Sequence, residues 1–356
     1  MNLTDAELKR SIISAKSKLG KKLVILGHHY QREEVIEFAD FKGDSFGLSK
    51  IASEQKDAEF IVFCGVRFMA EAARILARPS QRVFHPEFSA GCPMADMADI
   101  DKVEEAWEEL AELVDIKRVV PVAYMNTSAE LKAFCGRNGG LICTSSNACK
   151  AFEWAFKHGD KIFFFPDEHL GRNTARRVGI GNNPPIPPLK KGGNLLVPPF
   201  VKGGEGGFKD IRIILWPGYC HVHTFFTLEQ VNDARKKYPA CKIIVHPECR
   251  EEVVIACDEA ASTEGICKFV AIQPKGTTVV IGTEINLVSR LAHENPDKNI
   301  VPLARSLCPN MFKISLRNLC ETLEKIIDGR FENEVMVPQE IQEDARVALQ
   351  RMLDLK

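Results

Sequence analysis

Three cysteines recur at matched positions along the chain, and cysteine thiolates are strong ligands for zinc and for iron–sulfur clusters. Cys92, Cys220 and Cys308 each follow a predicted strand and a short turn, in "SAGCPMADM", "WPGYCHVHTFF" and "RSLCPNMFK". Each lies about 46–48 residues after a turn rich in hydroxyl groups, once a proline- and glycine-rich insertion before Cys220 is subtracted. This regularity indicates three equivalent loops, and we expect their thiolates to converge on one metal site.

Three thiolates are one fewer than the four that usually hold a [4Fe–4S] cluster. A cluster with three cysteine ligands has one open iron, which can act as a Lewis acid and bind a carboxylate or hydroxyl of a substrate. A zinc site made of three cysteines is an alternative, although the short C-x₂-C spacing of structural zinc is missing. Three structural thiols without a metal are a second alternative.

Polar side chains also recur where the first strand of each repeat ends. When the three repeats are aligned, two sets of positions coincide, separated by two residues. The sets are His28, Tyr124 and His246, and Tyr30, Asn126 and Glu248. Residues two apart on a strand leave it on the same face, and parallel sheets bind ligands at the carboxyl ends of their strands. Histidine, tyrosine and glutamate transfer protons, so these positions predict one cavity equipped for acid–base chemistry.

Hydroxyl-rich turns precede the second helix of each repeat, at Asp44-Ser45, Thr144-Ser145-Ser146 and Ser262-Thr263. Such residues cap helix N-termini, and free amides at those termini also bind carboxylates and phosphates. We expect the three turns to face a small substrate with several anionic groups. Cys249, in "HPEC", has no matched partner in the other repeats, which argues against a Cys–His nucleophile.

The elements that must position these residues alternate between strands and helices, as in α/β proteins with parallel sheets. The predicted strands are Leu23–Leu26, Phe60–Phe63, Val83–Phe84, Val119–Ala123, Lys161–Phe165, Arg212–Leu215, Lys242–Val245, Thr278–Ile281 and Ile300–Val301. They predict three homologous αβα sandwich domains in a pseudo-threefold arrangement around a central active site.

The repeat units suggest boundaries for these domains. Residues 1–98 form the first repeat, 99–222 the second and 223–310 the third, and residues 311–356 form a helical segment that packs back on the first domain. The second repeat carries an insertion at 179–208, about half of it proline or glycine, which we expect to be a disordered surface loop. A polyproline ligand for a partner is the alternative reading of that insertion.

Composition excludes several classes of function. The formal net charge of −1 among 356 residues provides no field to attract nucleic acid. No apolar run is long enough to cross a membrane, and the N-terminal segment lacks the apolar core of a signal peptide. Twelve cysteines without an export signal indicate reduced thiols, and therefore a cytoplasmic protein.

At these residues the sequence resembles the quinolinate synthase family, the A protein of de novo NAD synthesis. The resemblance rests on "GHHYQREEVIEFADFKGDS", "FCGVRFMAEAARIL", "AGCPMADM", "MNTSAELKAFC", "CTSSNA", "PGYCHVH", "HPECREEV", "ASTEG" and "CPNM", which span the chain apart from the insertion and the termini. It implies a transferase- or lyase-type enzyme that condenses iminoaspartate with dihydroxyacetone phosphate to quinolinate, releasing phosphate and water. It also implies an aspartate-oxidising enzyme that supplies iminoaspartate.

The resemblance assigns roles residue by residue. It implies that Cys92, Cys220 and Cys308 hold a [4Fe–4S] cluster with one open iron. The implied substrate contacts are His28, Ser45, Ser145, His246, Ser262 and Thr263. The implied proton-transfer residues are Tyr30, Tyr124, His223 and Glu248, supported by Asp44 and Asn126, with Met69 and Met311 lining the cavity near the cluster.

Two other functions fit part of the pattern. Diphthamide-forming enzymes also gather three cysteines from three related domains, but use the cluster to cleave S-adenosylmethionine. A non-catalytic iron–sulfur or zinc protein is the second alternative, and it would need a fourth ligand such as Cys249 or Cys320. The proton-transfer residues His28, Tyr30 and Glu248 argue against the first alternative, and the lack of a fourth cysteine at a matched position argues against the second.

Overall fold

Three parallel sheets of four strands each organise the chain. They are seen in a computed structural model that describes residues 3–180 and 211–355. The strands are β1 (Leu23–His28), β2 (Phe41–Gly43), β3 (Phe60–Cys64), β4 (Arg82–Phe84), β5 (Val119–Tyr124), β6 (Leu141–Cys143), β7 (Lys161–Phe165), β8 (Ile213–Leu215), β9 (Lys242–Val245), β10 (Glu259–Ala260), β11 (Thr278–Gly282) and β12 (Asn299–Pro302). The fold class predicted from the sequence is confirmed.

Helices connect the strands and cover the sheets. They are α1 (Asp5–Leu19), α2 (Glu33–Ile36), α3 (Ser45–Glu54), α4 (Arg67–Leu76), α5 (Ile100–Leu113), α6 (Ala129–Arg137), α7 (Ala148–His158), α8 (Glu168–Arg177), α9 (His221–Thr224), α10 (Leu228–Lys237), α11 (Glu251–Ala256), α12 (Thr263–Ala271), α13 (Ile285–Glu294), α14 (Leu316–Ile327) and α15 (Gln339–Leu353). In the described ranges, none of these helices has the length and apolarity to cross a membrane.

The three sheets share one strand order. They run β2-β1-β3-β4, β6-β5-β7-β8 and β10-β9-β11-β12, so the first strand of each unit lies between the second and the third. All strand pairs are parallel, which puts the carboxyl ends of the strands at one edge of each sheet. The loops that carry the candidate site residues therefore leave each sheet from the same edge.

All nine predicted strands are present, with ends within two residues of the predicted ones. Sequence reasoning missed β2, β6 and β10, the second strand of each unit. These strands have only two or three residues and pair with one neighbour at a sheet edge, as Leu26 pairs with Phe41. A run this short has too few residues to show the periodicity of a strand.

The central strands are apolar because helices bury both of their faces. Phe163, Phe164 and Phe165 are consecutive on β7 and fully buried, on opposite faces of the second sheet. Consecutive apolar residues are typical of parallel sheets covered on both sides. Burial of each such ring stabilises the fold by about 1.5–3 kcal/mol, so the sheets provide rigid supports for the loops at their edges.

The C-terminal helices contact two of the three units. Helix α14 packs on α1 and α2, whereas α15 packs on α6 and β6 and also touches α4. Gly136 of α6 allows this close approach, because a Cβ atom there would overlap the carbonyl group of Asp344. The segment thereby joins the first unit to the second. The domain boundaries stay predictions, and all but the first two residues of the predicted insertion at 179–208 lie outside the described residues.

Candidate active site

The three units meet around one cavity. The space free of atoms inside it and at its open mouth is about 640 Å³. Sixteen of the seventeen candidate residues line it. They are His28, Tyr30, Asp44, Ser45, Met69, Cys92, Tyr124, Asn126, Ser145, Cys220, His223, His246, Glu248, Thr263, Cys308 and Met311. Ser262 is the exception.

Two histidines occupy equivalent places at the carboxyl ends of β1 and β9 and are oriented in the same way. The Nδ1 atom of His28 accepts the main-chain N–H of Tyr30 at 3.2 Å, and that of His246 accepts the N–H of Glu248 at 3.3 Å. The proton of each neutral ring is therefore on Nε2. Burial lowers the pKa of His28 well below 6.5 and that of His246 to about 3. Both rings are thus neutral donors near pH 7, and the Nε2 atom of His246 lies 3.2 Å from the Ser145 hydroxyl.

A chain of hydrogen bonds crosses the cavity from the first unit to the second. The Tyr30 hydroxyl lies 2.6 Å from Thr283 Oγ1, which lies 3.2 Å from Nε2 of His223. Nδ1 of His223 lies 2.7 Å from Glu248 Oε2. The Tyr124 hydroxyl donates to Glu248 Oε1 at 2.5 Å. A proton can move between the two tyrosines along this chain without crossing open solvent.

The electrostatics of this chain separate an ionised base from protonated acids. Burial acts to raise the pKa of Glu248, but the imidazoles of His246 and His223 and the hydrogen bond from Tyr124 outweigh it and hold the pKa below its ordinary range. Burial and the charge of Glu248 raise the pKa of Tyr30 and of Tyr124 well above 10. Glu248 is therefore a carboxylate surrounded by donors, and the tyrosines remain phenols.

Helix N-termini supply the anion-binding side of the cavity. Asp44 caps α3 by accepting the N–H of Gly47 at 2.8 Å, and its second oxygen accepts the hydroxyl of Ser146. Ser45 and Thr263 are the first residues of α3 and α12, and both line the cavity. Free amides at these ends favour carboxylate or phosphate. None of the cavity-lining residues in the described ranges is Lys or Arg, so the protein groups available to hold an anion are amides, hydroxyls and imidazoles.

Ser262 lies next to the cavity without lining it. Its hydroxyl accepts the main-chain N–H of Gly265 at 3.2 Å and caps α12. The sequence suggested both helix capping and substrate contact for this residue, and the geometry shows the capping. The second hydroxyl turn also differs from the other two, because α7 begins at Ala148, and Ser145 stands in the turn before it.

The three matched cysteines lie together at one end of the cavity. Burial raises the pKa of Cys92 to about 12 and that of Cys308 above 9, and burial together with the charge of Glu248 raises that of Cys220 well above 9. Thiols in such surroundings stay protonated unless a cation compensates the charge of the thiolates. Three part-buried thiols with no Lys or Arg among the cavity-lining residues of the described ranges are a donor set that fits a resident metal centre.

The spacing of the ligand atoms argues against a single zinc held by the three thiols. A tetrahedral ion with Zn–S bonds of about 2.3 Å needs sulfur atoms about 3.8 Å apart. Among the described residues, the group with three ligand atoms within 4.8 Å of one another is Cys220, His223 and Glu248, not the three cysteines. The pair of His223 and Glu248 in that group is already hydrogen-bonded. The thiols are thus spread more widely than one zinc ion requires.

Sequence reasoning missed Thr283, which links Tyr30 to His223 and is fully buried. It follows β11, where the other two units have Gly65 and Pro166 after β3 and β7. The missing match explains why the repeat alignment did not reveal it. Further cavity-lining residues without an assigned role are Val66, Phe68, Gly91, Thr144 and Val222.

Comparison with known proteins gives one consistent result. The sequence model of the quinolinate synthetase A protein family matches residues 10–354. Quinolinate synthase of Corynebacterium glutamicum is 47% identical over 357 aligned residues, which cover 99% of this chain and 88% of the relative. Quinolinate synthase of Acidobacterium capsulatum is 46% identical, covering 100% and 95%, and that of Halalkalibacterium halodurans is 46% identical, covering 99% and 94%.

Proposed function

The chain belongs to the quinolinate synthetase A protein family, and on this basis we propose that it condenses iminoaspartate with dihydroxyacetone phosphate to form quinolinate. The reaction forms a carbon–carbon bond and an imine, releases phosphate and loses water twice. The observation that carries this proposal is the convergence of three thiols and the Glu248–His223 chain on one cavity. The enzyme would act as a condensing and dehydrating transferase or lyase.

Cys92, Cys220 and Cys308 would hold a [4Fe–4S] cluster with one open iron. When bound, the cluster supplies a Lewis acid at the thiol end of the cavity. The supporting observations are the raised thiol pKa values and the spacing that does not suit one zinc ion. Met69 and Met311 would bound the space between the cluster and the substrate, since both are buried and line the cavity.

Substrate anions would bind on the opposite side. The amide groups at the N-termini of α3 and α12, with Ser45 and Thr263, are suited to a phosphate or carboxylate. His28, His246 and Ser145 would donate further hydrogen bonds to substrate oxygens. Asn126 would be an additional anchor, because its side-chain oxygen is buried and has no partner in the described part of the protein. We propose Ser262 as a supporting residue that orients the α12 terminus.

Glu248, His223, Tyr30 and Tyr124 would move the protons. Glu248 is the ionised group in their chain, so it would accept a proton through His223 or directly from Tyr124. The tyrosines are phenols near pH 7 and would donate protons to departing hydroxyl groups. Asp44 would keep α3 and the Ser146 turn in place through its two hydrogen bonds.

The proposal includes a cellular setting. Iminoaspartate would come from an aspartate-oxidising enzyme, and no nucleic acid or membrane takes part. Reduced thiols and an iron–sulfur cluster suit the cytoplasm. The diphthamide-type alternative and the non-catalytic metal protein find no support in the relatives, which are named quinolinate synthases.

The test is to purify the protein without oxygen and to measure iron, sulfide and quinolinate formation together. We expect about four irons and four sulfides per chain, the content of one such cluster, and quinolinate from iminoaspartate and dihydroxyacetone phosphate. Cleavage of S-adenosylmethionine by the same sample would instead support the diphthamide-type reaction. Iron-free material without quinolinate formation would contradict the proposal.

A further inference from the structure

The three cysteine loops are tied to one another by hydrogen bonds that do not involve the cysteines. We define them as loop 1 (84–98), loop 2 (216–226) and loop 3 (303–313). The indole Nε1 of Trp216 in loop 2 donates to the carbonyl of Met97 in loop 1 at 2.8 Å. The Ser306 hydroxyl in loop 3 donates to the carbonyl of Val222 in loop 2 at 2.7 Å.

A third hydrogen bond joins the remaining pair, loop 3 and loop 1. Nζ of Lys313 in loop 3 donates to the carbonyl of Ser89 in loop 1 at 2.6 Å. Each pair of loops therefore has one bond from a side chain to a main-chain carbonyl. We call these three bonds the loop ring.

The members of the loop ring differ in burial. Trp216 and Ser306 are 7% and 5% exposed, and loss of the Ser306 donor leaves a buried carbonyl without that partner, whereas the bond of Trp216 to Met97 is part-buried. Lys313 bonds at an exposed site, where water can replace it. A neutral hydrogen bond stabilises by about 0.5–1.5 kcal/mol, and a buried carbonyl left unsatisfied costs more than an exposed one.

The bonds lie close to the thiols along the chain. Ser306 is two residues before Cys308, and Val222 is two residues after Cys220. Loop 2 has a second contact with loop 1, where the N–H of Tyr219 approaches Sδ of Met97 at 3.4 Å. The ring thus fixes the separations of the thiols through the protein itself.

We propose that the loop ring sets how firmly the protein retains its cluster, and that Trp216, Ser306 and Lys313 are positioning residues for the thiol ligands. The inference rests on the cluster assigned under the proposed function. Release of the three irons that the thiolates would hold requires the loops to separate, because each of these irons would be bound to a cysteine of a different loop. The ring opposes that separation.

A closed ring makes a specific prediction about combinations of changes. When one bond is removed, the remaining two still connect all three loops. When two are removed, one loop is no longer tied to the others. The effect of a double variant on iron release should therefore exceed the product of the two single effects, as expected for residues that act as one unit.

The experiment measures the rate of iron transfer from anaerobic holoprotein to an excess of a coloured ferrous chelator. Ser306→Ala and Trp216→Phe should each release iron about two- to tenfold faster than the unchanged protein, and Lys313→Met less than about threefold faster. Ser306→Ala combined with Lys313→Met frees loop 3 and should exceed the product of the single effects at least threefold. Thermal unfolding of each cluster-free variant checks that it is folded.

Matched controls separate the ring from general damage. Trp107→Phe makes the same substitution at a tryptophan whose indole packs against Phe134, outside the three loops. Thr322→Val removes a buried hydroxyl that donates to the carbonyl of Asn318 on α14. Both controls should release iron at the rate of the unchanged protein.

The outcomes distinguish the two proposals. If the unchanged protein holds iron but every variant releases it at the same rate, or if the double effect equals the product, the ring inference is wrong and the proposed function stands. If the unchanged protein binds no iron, the proposed function itself fails. Should the first double variant not fold, Trp216→Phe with Lys313→Met leaves loop 1 held only by the contact of Tyr219 with Met97, and its effect must also exceed the product of the single effects.

Discussion

The two ends of the cavity use the same threefold scaffold in opposite ways. At the thiol end all three units contribute the same residue, Cys92, Cys220 and Cys308. At the proton-transfer end the matched positions differ, with Tyr30 in one unit, Asn126 in another and Glu248 in the third. The proposed cluster would be held in the same way by each unit, so repetition of the cysteine suits it. A reaction that moves protons in one direction needs an acid on one side and a base on the other. The three units therefore carry different residues at these matched positions.

Charge follows the same division. The cysteine loops are joined by hydrogen bonds to main-chain carbonyls, one of them from the charged Lys313, and these loops add no carboxylate to the cavity-lining residues of the described ranges. The other end contains a buried carboxylate with two donors, Tyr124 and His223. We therefore expect changes at the thiol end to affect retention of metal and changes at the other end to affect turnover.

The largest effect is expected from removing a thiol. Cys220→Ser should lower the iron content of anaerobically purified protein to below about a tenth and abolish quinolinate formation, because two thiolates cannot hold the cluster. Cys249→Ser is the control, since Cys249 is fully buried in a separate apolar cluster of the third unit. Loss of iron in Cys249→Ser with retention in Cys220→Ser would reverse the assignment of ligands.

The next effect tests the proton-transfer end alone. Glu248→Gln keeps the shape of the side chain but removes its charge, and should lower kcat about 10²–10⁴-fold. Iron content should be unchanged, and substrate binding should persist. Glu252→Gln, on α11, is the control for the same change. Undiminished turnover of Glu248→Gln would show that this carboxylate does not serve as the base.

A smaller effect is expected from a buried histidine in loop 1, His85. His85 is fully buried and contacts the carbonyl of Gly65 through Nε2 at 3.1 Å, and burial lowers its pKa from 6.5 to about 4. Because the folded state resists protonation, the unfolded state binds more protons between these pH values. The free energy of unfolding should fall as the pH drops from about 6.5 to about 4, with His85 contributing up to about 3 kcal/mol.

His85→Gln should make that fall shallower, because glutamine can still donate to Gly65 but does not titrate. Urea unfolding of cluster-free protein at several pH values measures the difference. An identical slope in His85→Gln and the unchanged protein would contradict the assigned cause.

The smallest effect distinguishes a cap from a ligand contact. Ser262→Ala should lower the free energy of unfolding by about 1 kcal/mol, the usual cost of losing an N-cap. The KM values should change less than about twofold, since Ser262 does not line the cavity. Thr263→Val, one residue further and inside the cavity, should raise a KM clearly more. A large rise in KM for Ser262→Ala would place its hydroxyl on the substrate.

The sequence predicted the parts of this site that recur. The matched cysteines and the polar strand ends repeat at fixed intervals, so alignment of the chain with itself is enough to predict them. The nine strands were predicted correctly for a similar reason, because parallel strands buried on both faces have continuous apolar runs in the sequence.

The features of the site and fold that do not recur could not be predicted from the sequence. Thr283 has no polar counterpart in the other units, and the bond from Trp216 to Met97 joins residues 119 apart in the chain. The edge strand of only two residues, β10, is defined by pairing with β9 rather than by its own residue types. These features depend on contacts between distant segments, which a single sequence does not display.

Chain order has a consequence for how the protein is made. Domains emerge and fold from the N-terminus during synthesis. The third thiol, Cys308, comes late, and the helix that joins the second unit to the first, α15, begins only at Gln339. A nascent chain would therefore offer only two of the three sulfurs until most of its length has left the ribosome. Iron loading should accordingly begin after translation is nearly finished, and prematurely terminated products should stay metal-free.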